Sequence, residues 1–395
     1  MNYPEYVKKI LRRIEEAGFE AFVVGGAVRD SLLGRPNHDY DITTSALPEE
    51  TAEIFKDLHV IKTGIKHGTV TVVMSRTPVE ITTYRVDGDY KDSRHPEDVR
   101  FTRNLEDDLS RRDFTVNAMA YNEERGVVDL FDGIGDLAKG LIRAVGEPQK
   151  RFEEDALRIM RAFRFASKLN FNIEGETLAA AEKCRFGLEK ISAERKLVEL
   201  EGILLGRGVK KALSLMQDAK IFEVIAPMIT LETSRFSALP SLSRDFACRM
   251  ALCLVGQEKS DEYLSTLRLS NAVSSKTRRL IKLSEGALDV STDGKLRRFM
   301  SECGDLLEET LQIRAALGED TARIANRAKL ISERGDCLYL SQLRIDGRDL
   351  AVMGIRGKEV GEILSKLLSK VHEYPELNDR KTLLSLVDSL RKEKS

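Results

Sequence analysis

The sequence predicts an α+β protein, in which an N-terminal head with a small mixed sheet precedes an all-α remainder. Before about residue 150, short runs of β-branched and apolar residues alternate with helical stretches. After that point proline and glycine become scarcer, and apolar residues recur with the helical period. A chain of 395 residues is long enough for two or three domains of this kind.

Five β-rich runs account for the predicted sheet. They are Ala21–Val24, Tyr40–Thr43, Thr69–Met74, Val79–Tyr84 and Val127–Phe131. The third and fourth runs are separated by Ser75-Arg76-Thr77-Pro78, which predicts the turn of a hairpin. The runs do not alternate regularly with helices as a β-α-β series does, so we expect a mixed sheet.

Helical periodicity begins at the N-terminus of the chain. The segment MNYPEYVKKILRRIEEAG places Val7, Ile10, Leu11 and Ile14 on one helical stripe, and its charged residues exclude a signal peptide. The clearest helices of the second half are Ala193–Leu205, Val209–Gln217 and Leu280–Leu288. No segment approaches the length of a membrane span, so we expect no membrane partner.

Charge and cysteine content narrow the class of protein further. Sixty-three basic against 64 acidic residues give a net charge of -1, so a nucleic-acid partner requires a segregated basic surface. Five scattered cysteines follow no zinc or disulfide spacing: Cys184, Cys248, Cys253, Cys303 and Cys337. We therefore expect reduced thiols in a cytoplasmic protein.

Residues 22–43 carry the clearest chemical pattern, FVVGGAVRDSLLGRPNHDYDIT. On one strand Asp39 and Asp41 face the same side, and two adjacent carboxylates attract a hard cation such as Mg²⁺. Gly25-Gly26 at a helix start leave N–H groups bare for phosphate oxygens. Either motif alone is usually a solvated turn or an ordinary helix start, but the combination suggests nucleotidyl transfer.

A third acid, Glu80, falls on the second arm of the predicted hairpin. One interpretation makes it the third acid of the site, where it would polarise the attacking hydroxyl of the acceptor strand. The alternative is an exposed strand residue without a chemical role. The residues alone leave both open.

Several motifs in one order resemble the class II tRNA nucleotidyltransferase and bacterial poly(A) polymerase family, within the polymerase-beta-like nucleotidyltransferases. They are V-V-G-G-A-V-R-D with the D-x-D, D-G-x-Y-x-D-x-R-H-P from Asp87, R-R-D-F-T-x-N-A from Arg111, E-D-x-x-R from Glu154, and I-S-A-E-R-K from Ile191. The resemblance is strong over about residues 1–225 and moderate over the last fifty. The stretch Thr63–Val70 favours CCA addition over polyadenylation within this family.

The resemblance implies a role for most of the motifs. Asp39 and Asp41 would bind Mg²⁺, Gly25, Gly26 and Arg29 would hold phosphates, and Arg112 with the assistance of Asn117 would hold triphosphate or sugar. For Arg112 the alternative is a solvated, charged turn. The polar, aperiodic segment Asp87–Pro96 predicts a mobile loop.

The segment Arg151–Phe171 places four charged residues at every third position: Asp155, Arg158, Arg161 and Arg164. On a helix the first three share a broad face, while apolar residues on the other sides indicate an interior position. Buried charges need partners, so an internal salt-bridge network is one interpretation. In the other, Asp155 and Arg158 read the amine and ring nitrogen that cytosine and adenine share, and reject uracil and guanine. The resemblance implies this second role and makes Arg161 and Arg164 further nucleotide contacts.

Two later motifs have both a structural and a functional interpretation. Ser192 is a plausible N-cap, and for the I-S-A-E-R-K stretch we prefer a capped helix that stabilises the neck. Gly354, Gly357 and Gly361 surround a predicted helix start, where backbone amides would meet an RNA phosphate or glycines would let helices pack.

The resemblance also implies the organisation and activity of the whole chain. Residues 1–145 would form the catalytic head, 146–225 a neck that recognises the base, and 226–395 a body and tail that bind the tRNA acceptor stem and elbow. The predicted activity is template-independent addition and repair of the 3′-terminal CCA of tRNA from CTP and ATP, by two-metal-ion transfer. Alternatives are an A-adding or CC-adding relative, a poly(A) polymerase and, remotely, a non-catalytic RNA-binding protein. The oligomeric state is not predicted.

Overall fold

The computed structural model describes residues 1, 3–37, 39–87 and 99–392. The chain divides into two compact units, Met1–Thr230 with Glu262–Leu269, and Leu231–Asp261 with Ser270–Ser395. Most of the segment for which we predict a mobile loop, 88–96, lies outside the described residues. The expected division of the first unit into head and neck stays a prediction.

All strands of the described residues belong to the first unit. They are Ala21–Val24 (β1), Asp41–Thr44 (β2), His59–Ile61 (β3), Thr69–Met74 (β4), Thr77–Thr83 (β5), Arg85–Asp87 (β6), Val99–Phe101 (β7), Met119–Asn122 (β8), Gly126–Asp129 (β9), Leu141–Ile142 (β10) and Asn172–Ile173 (β11). Seven of them form one sheet in the order β3-β4-β5-β2-β1-β8-β9, in which only the β2–β5 pair is parallel. The expected mixed sheet is therefore confirmed.

The sheet contains two strands that the sequence did not reveal, β3 and β8. Both are only three or four residues long and lack a clear apolar alternation. β1 lies between β2 and β8 and buries all four of its side chains, which explains its uninterrupted apolar run. Phe22 and Val24 of β1 pack with Leu105 and Leu109 in one hydrophobic cluster.

The predicted hairpin is present as β4 and β5, but its turn is shorter than expected. Met74 pairs directly with Thr77, so only Ser75 and Arg76 form the turn, whereas Pro78 belongs to β5. Both turn residues have positive φ, 53° and 65°. A two-residue turn of this kind matches the right-handed twist of the two strands.

The described residues form α-helices along the whole chain, in the following order. They are Glu5–Glu16 (α1), Gly26–Leu32 (α2), Pro48–Ile54 (α3), Leu105–Ser110 (α4), Gly133–Lys139 (α5), Pro148–Glu154 (α6), Leu157–Leu169 (α7), Gly175–Cys184 (α8), Ala193–Leu204 (α9), Val209–Asp218 (α10), Phe222–Ile225 (α11), Thr233–Ala238 (α12), Phe246–Leu254 (α13), Ser260–Thr266 (α14), Asn271–Ser284 (α15), Asp293–Cys303 (α16), Leu307–Ala316 (α17), Ala322–Glu333 (α18), Gly347–Val352 (α19), Lys358–Glu373 (α20) and Arg380–Lys392 (α21). The apolar stripe predicted for α1 is buried at all four positions.

The second unit is helical throughout its described residues. The prediction of a helix over Leu280–Leu288 is wrong in its bounds, because α15 starts at Asn271 and ends at Ser284. The helix ends because Glu285 adopts extended backbone angles, and Gly286 follows with a positive φ of 71°. α20 begins directly after Gly357, as the glycine pattern indicates. Among the described residues, the longest helices remain too short or too polar to cross a lipid bilayer.

Candidate active site

Three candidate acids meet at one edge of the mixed sheet. Antiparallel pairing places Val24, the last residue of β1, opposite Asp41, the first residue of β2. The glycine turn that follows β1 therefore lies beside the start of β2. Parallel pairing of β2 with β5 brings Asp41 next to Glu80 on the neighbouring strand.

Asp39 differs from the prediction in its local structure. The strand begins at Asp41, so Asp39 lies in the segment that precedes it and not on the strand itself. The side-chain amide of Asn37 donates to the Asp39 carbonyl at 2.5 Å. Asp39 nevertheless stays close enough to Asp41 to change the pKa of its carboxyl group.

The pKa of Asp41 is raised above its ordinary value. Burial is the largest cause, the negative charges of Asp39 and Glu80 add to it, and the guanidinium of Arg112 opposes it. The Asp41 side chain is nevertheless exposed to solvent, unlike the next three residues of β2. A cation that reached this side chain would relieve the repulsion among the three carboxylates.

The donor set fits a hard divalent cation that retains other ligands. Among the residues that the structure describes, no three His, Cys, Asp or Glu side chains are grouped so that they could hold a metal ion. Mg²⁺ is typically held by one or two carboxylates together with water and substrate phosphates. Asp39 and Asp41 supply that kind of partial site, and their assignment as ligands stays a prediction.

The glycine turn lies against a guanidinium group. A Cβ atom on Gly25 would stand 3.3 Å from Nη1 of Arg112, and the backbone of Gly25 has a positive φ of 69°. The N–H of Gly25 already donates to the carbonyl of Met119 at 3.2 Å. The expectation of a bare N–H is therefore wrong for Gly25, because that strand pairing uses it. Gly26, the first residue of α2, keeps its position at the helix start.

Arg112 is oriented by a fully buried carboxylate, Asp108. Its Nη2 donates to Asp108 at 3.1 Å, and Arg111 donates to the same carboxylate at 2.7 Å. Burial raises the pKa of Asp108, but the two guanidinium groups outweigh burial and leave that pKa below its ordinary value. Arg112 is thus no freely solvated turn residue.

Arg29 lies beneath the glycines in a buried hydrogen-bond network. It is only 3% exposed, and it donates to Asp30 through Nε and Nη2 and to the Asn117 side chain at 2.5 Å. Asn117 in turn donates to Asp113 at 3.1 Å. The phosphate contacts expected of Arg29 and Asn117 stay predictions, since these donors are occupied by protein groups.

Asp155 does not lie on the same helix as the three arginines. α6 ends at Glu154, Asp155 has extended backbone angles, and α7 begins at Leu157. The expectation that Asp155 shares a helical face with Arg158 is therefore wrong. The Asp155 carboxylate accepts from the backbone of Leu157 at 3.0 Å and from Arg195 at 3.2 Å.

Each of the three arginines of α7 has a carboxylate partner. Arg158 binds Glu154 at 2.8 Å, Arg161 binds Asp113 at 2.6 Å and Arg164 binds Glu199 at 2.6 Å. The salt-bridge network that we considered for this helix is therefore present. The role of these residues in nucleotide choice stays a prediction.

Three guanidinium groups lie near the ring of Phe165. The ring centroid of Phe165 lies 5.3 Å from Arg29, 5.4 Å from Arg161 and 4.6 Å from Arg164. Cations over an aromatic face are stabilised by its quadrupole. Through Phe165, α7 contacts Arg29 of α2, the helix that starts at the glycine turn.

Sequence reasoning missed the partner residues of this site. They are Asp108, Asp113, Glu154, Arg195 and Glu199. The spacing of Asp108 from Arg111 and Arg112, three and four positions along the chain, could have revealed that ion pair. The pairs formed by Asp113 and Glu199 join distant segments and leave no local signal.

Two family models match the chain. The one described as "Poly A polymerase head domain" matches residues 21–143, and the one described as "Probable RNA and SrmB- binding site of polymerase A" matches residues 170–232. The first match contains the glycine turn, all three acids and Arg112. The second contains the stretch that begins at Ile191.

Known proteins resemble the chain over its whole length. The CCA-adding enzyme of Limosilactobacillus fermentum is 40% identical over 98% of this chain and 97% of the relative. That of Ligilactobacillus salivarius is 37% identical over 100% of this chain and 99% of the relative. The crystal structure of the Bacillus stearothermophilus CCA-adding enzyme in complex with CTP superposes with a TM-score of 0.81 at 30% identity, covering 100% of this chain and 99% of that one.

Proposed function

The chain belongs to the family of CCA-adding enzymes, and from this premise we propose how its own residues perform the reaction. The reaction is template-independent addition and repair of the 3′-terminal CCA of tRNA with CTP and ATP, with release of pyrophosphate. The comparisons do not favour an A-adding, CC-adding or polyadenylating alternative.

The convergence of three carboxylates, a glycine turn and Arg112 at one sheet edge supports this assignment most directly. The fold implies use of a divalent metal, and we assign it as Mg²⁺ held by Asp39 and Asp41. When bound, such ions lower the pKa of the attacking hydroxyl and neutralise charge on the leaving group. Glu80, exposed on β5 beside Asp41, would polarise the 3′-hydroxyl of the acceptor.

Gly26 and Arg112 would hold the triphosphate of the incoming nucleotide. The helix start offers backbone N–H donors, and Arg112 is kept against the turn by its ion pair with Asp108. The 3′-hydroxyl oxygen of the tRNA then bonds to the α-phosphorus, the bond to the β-phosphate breaks, and pyrophosphate leaves. The hydroxyl proton would pass to solvent water in the same step. Gly25 and Arg29 would add further phosphate contacts at the same turn, and Asn117 would assist Arg112.

We assign base selection to Asp155 and Arg158, assisted by Arg161 and Arg164. In the described structure Arg195 pairs with Asp155 and Glu154 pairs with Arg158, and these ion pairs orient both side chains. A cytosine or adenine base would replace some of these protein contacts, because its edge offers Asp155 and Arg158 a matching donor and acceptor. Uracil or guanine would leave buried groups unpaired.

The tRNA itself belongs to the proposal, as do the domain roles. We assign residues 1–145 to catalysis, 146–225 to base recognition, and 226–395 to binding of the acceptor stem and elbow. We place the reaction in the cytoplasm, in keeping with the cysteines, of which none forms a disulfide among the described residues.

The decisive experiment incubates tRNA that ends before CCA with each NTP, singly and in pairs, and sizes the products. We expect two additions with CTP alone, three with CTP and ATP, and none with UTP or GTP. Asp41→Ala should abolish all additions while tRNA affinity stays unchanged. Asp57→Ala, which removes an exposed carboxylate paired with Arg13, is the matched control and should behave as wild type. A ladder of adenosines on any RNA would contradict CCA addition.

A further inference from the structure

The residue between the two metal-binding acids points away from them into an aromatic cluster. The ring of Tyr40 meets the ring of Tyr3 edge to face, with centroids 5.5 Å apart at 72°, and that of Tyr6 at 6.4 Å. Its hydroxyl donates to the Asn37 carbonyl at 3.0 Å. Tyr40 thus attaches the acidic segment to residues at the start of the chain.

Tyr3 is the centre of this cluster. Its side chain is almost fully buried, at 4% exposure, and its ring also meets Tyr121 of β8, with centroids 5.3 Å apart. Its hydroxyl donates to the Sδ atom of Met1 at 2.9 Å. Tyr3 therefore contacts both the acidic segment and the sheet.

Within the described residues, Asp39 accepts one hydrogen bond, from the Asn37 side chain to its backbone carbonyl. β2 begins only at Asp41, so the sheet ladder does not hold Asp39, whose side chain is exposed. The neighbouring carboxylates repel each other, which favours movement of Asp39 away from Asp41. Tyr40 follows Asp39 and precedes Asp41 in the chain, and its contact with Tyr3 restrains that movement, because an edge-to-face pair has a defined geometry.

We propose that Tyr40 and Tyr3 are positioning residues, whose ring contact holds Asp39 and Asp41 at the spacing that a divalent cation requires. The proposal rests on the assignment of these two aspartates as metal ligands. Neither tyrosine would touch metal or nucleotide. Their effect would be confined to the affinity for metal and to the rate that depends on it.

The test compares Tyr40→Leu and Tyr3→Leu with the wild type. Mn²⁺ binding is titrated in the presence of a non-hydrolysable CTP analogue, with free Mn²⁺ read by electron paramagnetic resonance. Each variant should weaken Mn²⁺ binding about tenfold, as loss of an outer partner of a metal ligand does. The Mg²⁺ concentration for half-maximal CMP incorporation should rise in parallel, and tRNA affinity should not change. Tyr40→Phe keeps the ring and should restore both values.

Two further variants separate positioning from general stability. Tyr121→Leu removes a ring that meets Tyr3 and should lower the thermal midpoint while metal affinity stays unchanged. The double variant Tyr3→Leu, Tyr40→Leu should bind Mn²⁺ no more weakly than either single one, because both lose the same contact. Unchanged Mn²⁺ affinity in Tyr40→Leu, or an additive double variant, would overturn the inference.

Asp41→Ala distinguishes failure of the inference from failure of the proposed site. If Asp41→Ala loses Mn²⁺ binding and Tyr40→Leu keeps it, the aspartates are ligands and the tyrosines do not position them. If Asp41→Ala still binds Mn²⁺ as wild type, the metal assignment itself is wrong, and the inference is overturned with it.

Discussion

At the scale of single residues, this site consists of arginines paired with buried or half-buried carboxylates. Arg112, Arg158 and Arg161 each have a partner within 3.1 Å. Such pairs fix the direction of a guanidinium fork before a ligand arrives, so less side-chain freedom is lost on binding. The pairing itself contributes less to stability than the loss of one partner would remove.

Nucleotide choice is the property that Asp155 and Arg158 should control. Asp155→Ala or Arg158→Ala should relax discrimination against UTP and GTP by about tenfold or more per lost contact, with a smaller change in nucleotide binding. The measurement is kcat/KM for each of the four NTPs on tRNA that ends before CCA. Lys210→Ala, an exposed change on α10, is the control. Full C and A discrimination in both variants would contradict the assignment.

Asp108 should make stability depend on pH in a defined direction. Its pKa is below the ordinary value in the folded protein, so its contribution is present above about pH 4 and is lost as pH falls further. Asp108→Asn should cost about 1–3 kcal/mol at pH 7, because two guanidinium groups lose a charged partner. Urea unfolding from pH 7 down to about pH 2 should show a constant gap between variant and wild type above about pH 4, and a gap that closes below it. A gap that widens on acidification would refute this account.

At the scale of elements, α7 and α9 approach each other closely at small residues. A Cβ atom on Gly202 of α9 would stand 2.6 Å from the Arg164 side chain, and one on Gly206 would overlap Ser167 of α7. The Ser167 hydroxyl donates to the Ile203 carbonyl at 2.6 Å. Small residues at this crossing therefore let α9 present Glu199 to the arginines of α7.

Gly206→Ala should destabilise the protein by about 1–3 kcal/mol, because the added methyl group overpacks against the backbone and hydroxyl of Ser167. The measurement is the urea midpoint at neutral pH. Gly361→Ala is the matched control: this glycine lies within α20 with open space around it, and its change should stabilise by about 0.5–1 kcal/mol. Equal effects at both positions would show that packing at Gly206 is not the cause.

At the scale of the whole molecule, a nearly neutral chain acts on a polyanion. Its net charge of -1 gives no overall attraction to RNA, so affinity must come from local basic surface. The ion pairs within the site add no net positive charge to that surface, because each pairs a basic with an acidic side chain of the protein. Recognition of tRNA by shape and phosphate contact fits such a balance.

The affinity for tRNA should therefore depend steeply on salt. A plot of log affinity against log salt concentration should be linear, with a slope of about -0.7 to -0.9 for each phosphate neutralised. Filter binding between low and physiological salt measures it. Asp41→Ala should show the same slope as wild type, because that residue is assigned to catalysis. A tRNA affinity that does not change with salt would contradict phosphate-based binding.

Local patterns in the sequence were enough to predict most of the helices and strands and the family of the chain. Buried apolar runs and helical stripes are local patterns, so β1, β4, the stripe of α1 and the mixed sheet were predicted closely, whereas the role of the D-x-D acids stays a prediction. Motif order was enough to identify the family. These properties depend on residues that are near one another in the chain.

The pairing of the charged and polar side chains in the site is visible only in the tertiary structure. Arg29 meets Asn117 across 88 positions, Arg161 meets Asp113 across 48, and Asp155 meets Arg195 across 40. The tertiary structure also placed Asp155 in the break between α6 and α7, where a helical repeat read from sequence had continued through it. Periodicity reports the face of an element, whereas a salt bridge depends on which other element packs against that face.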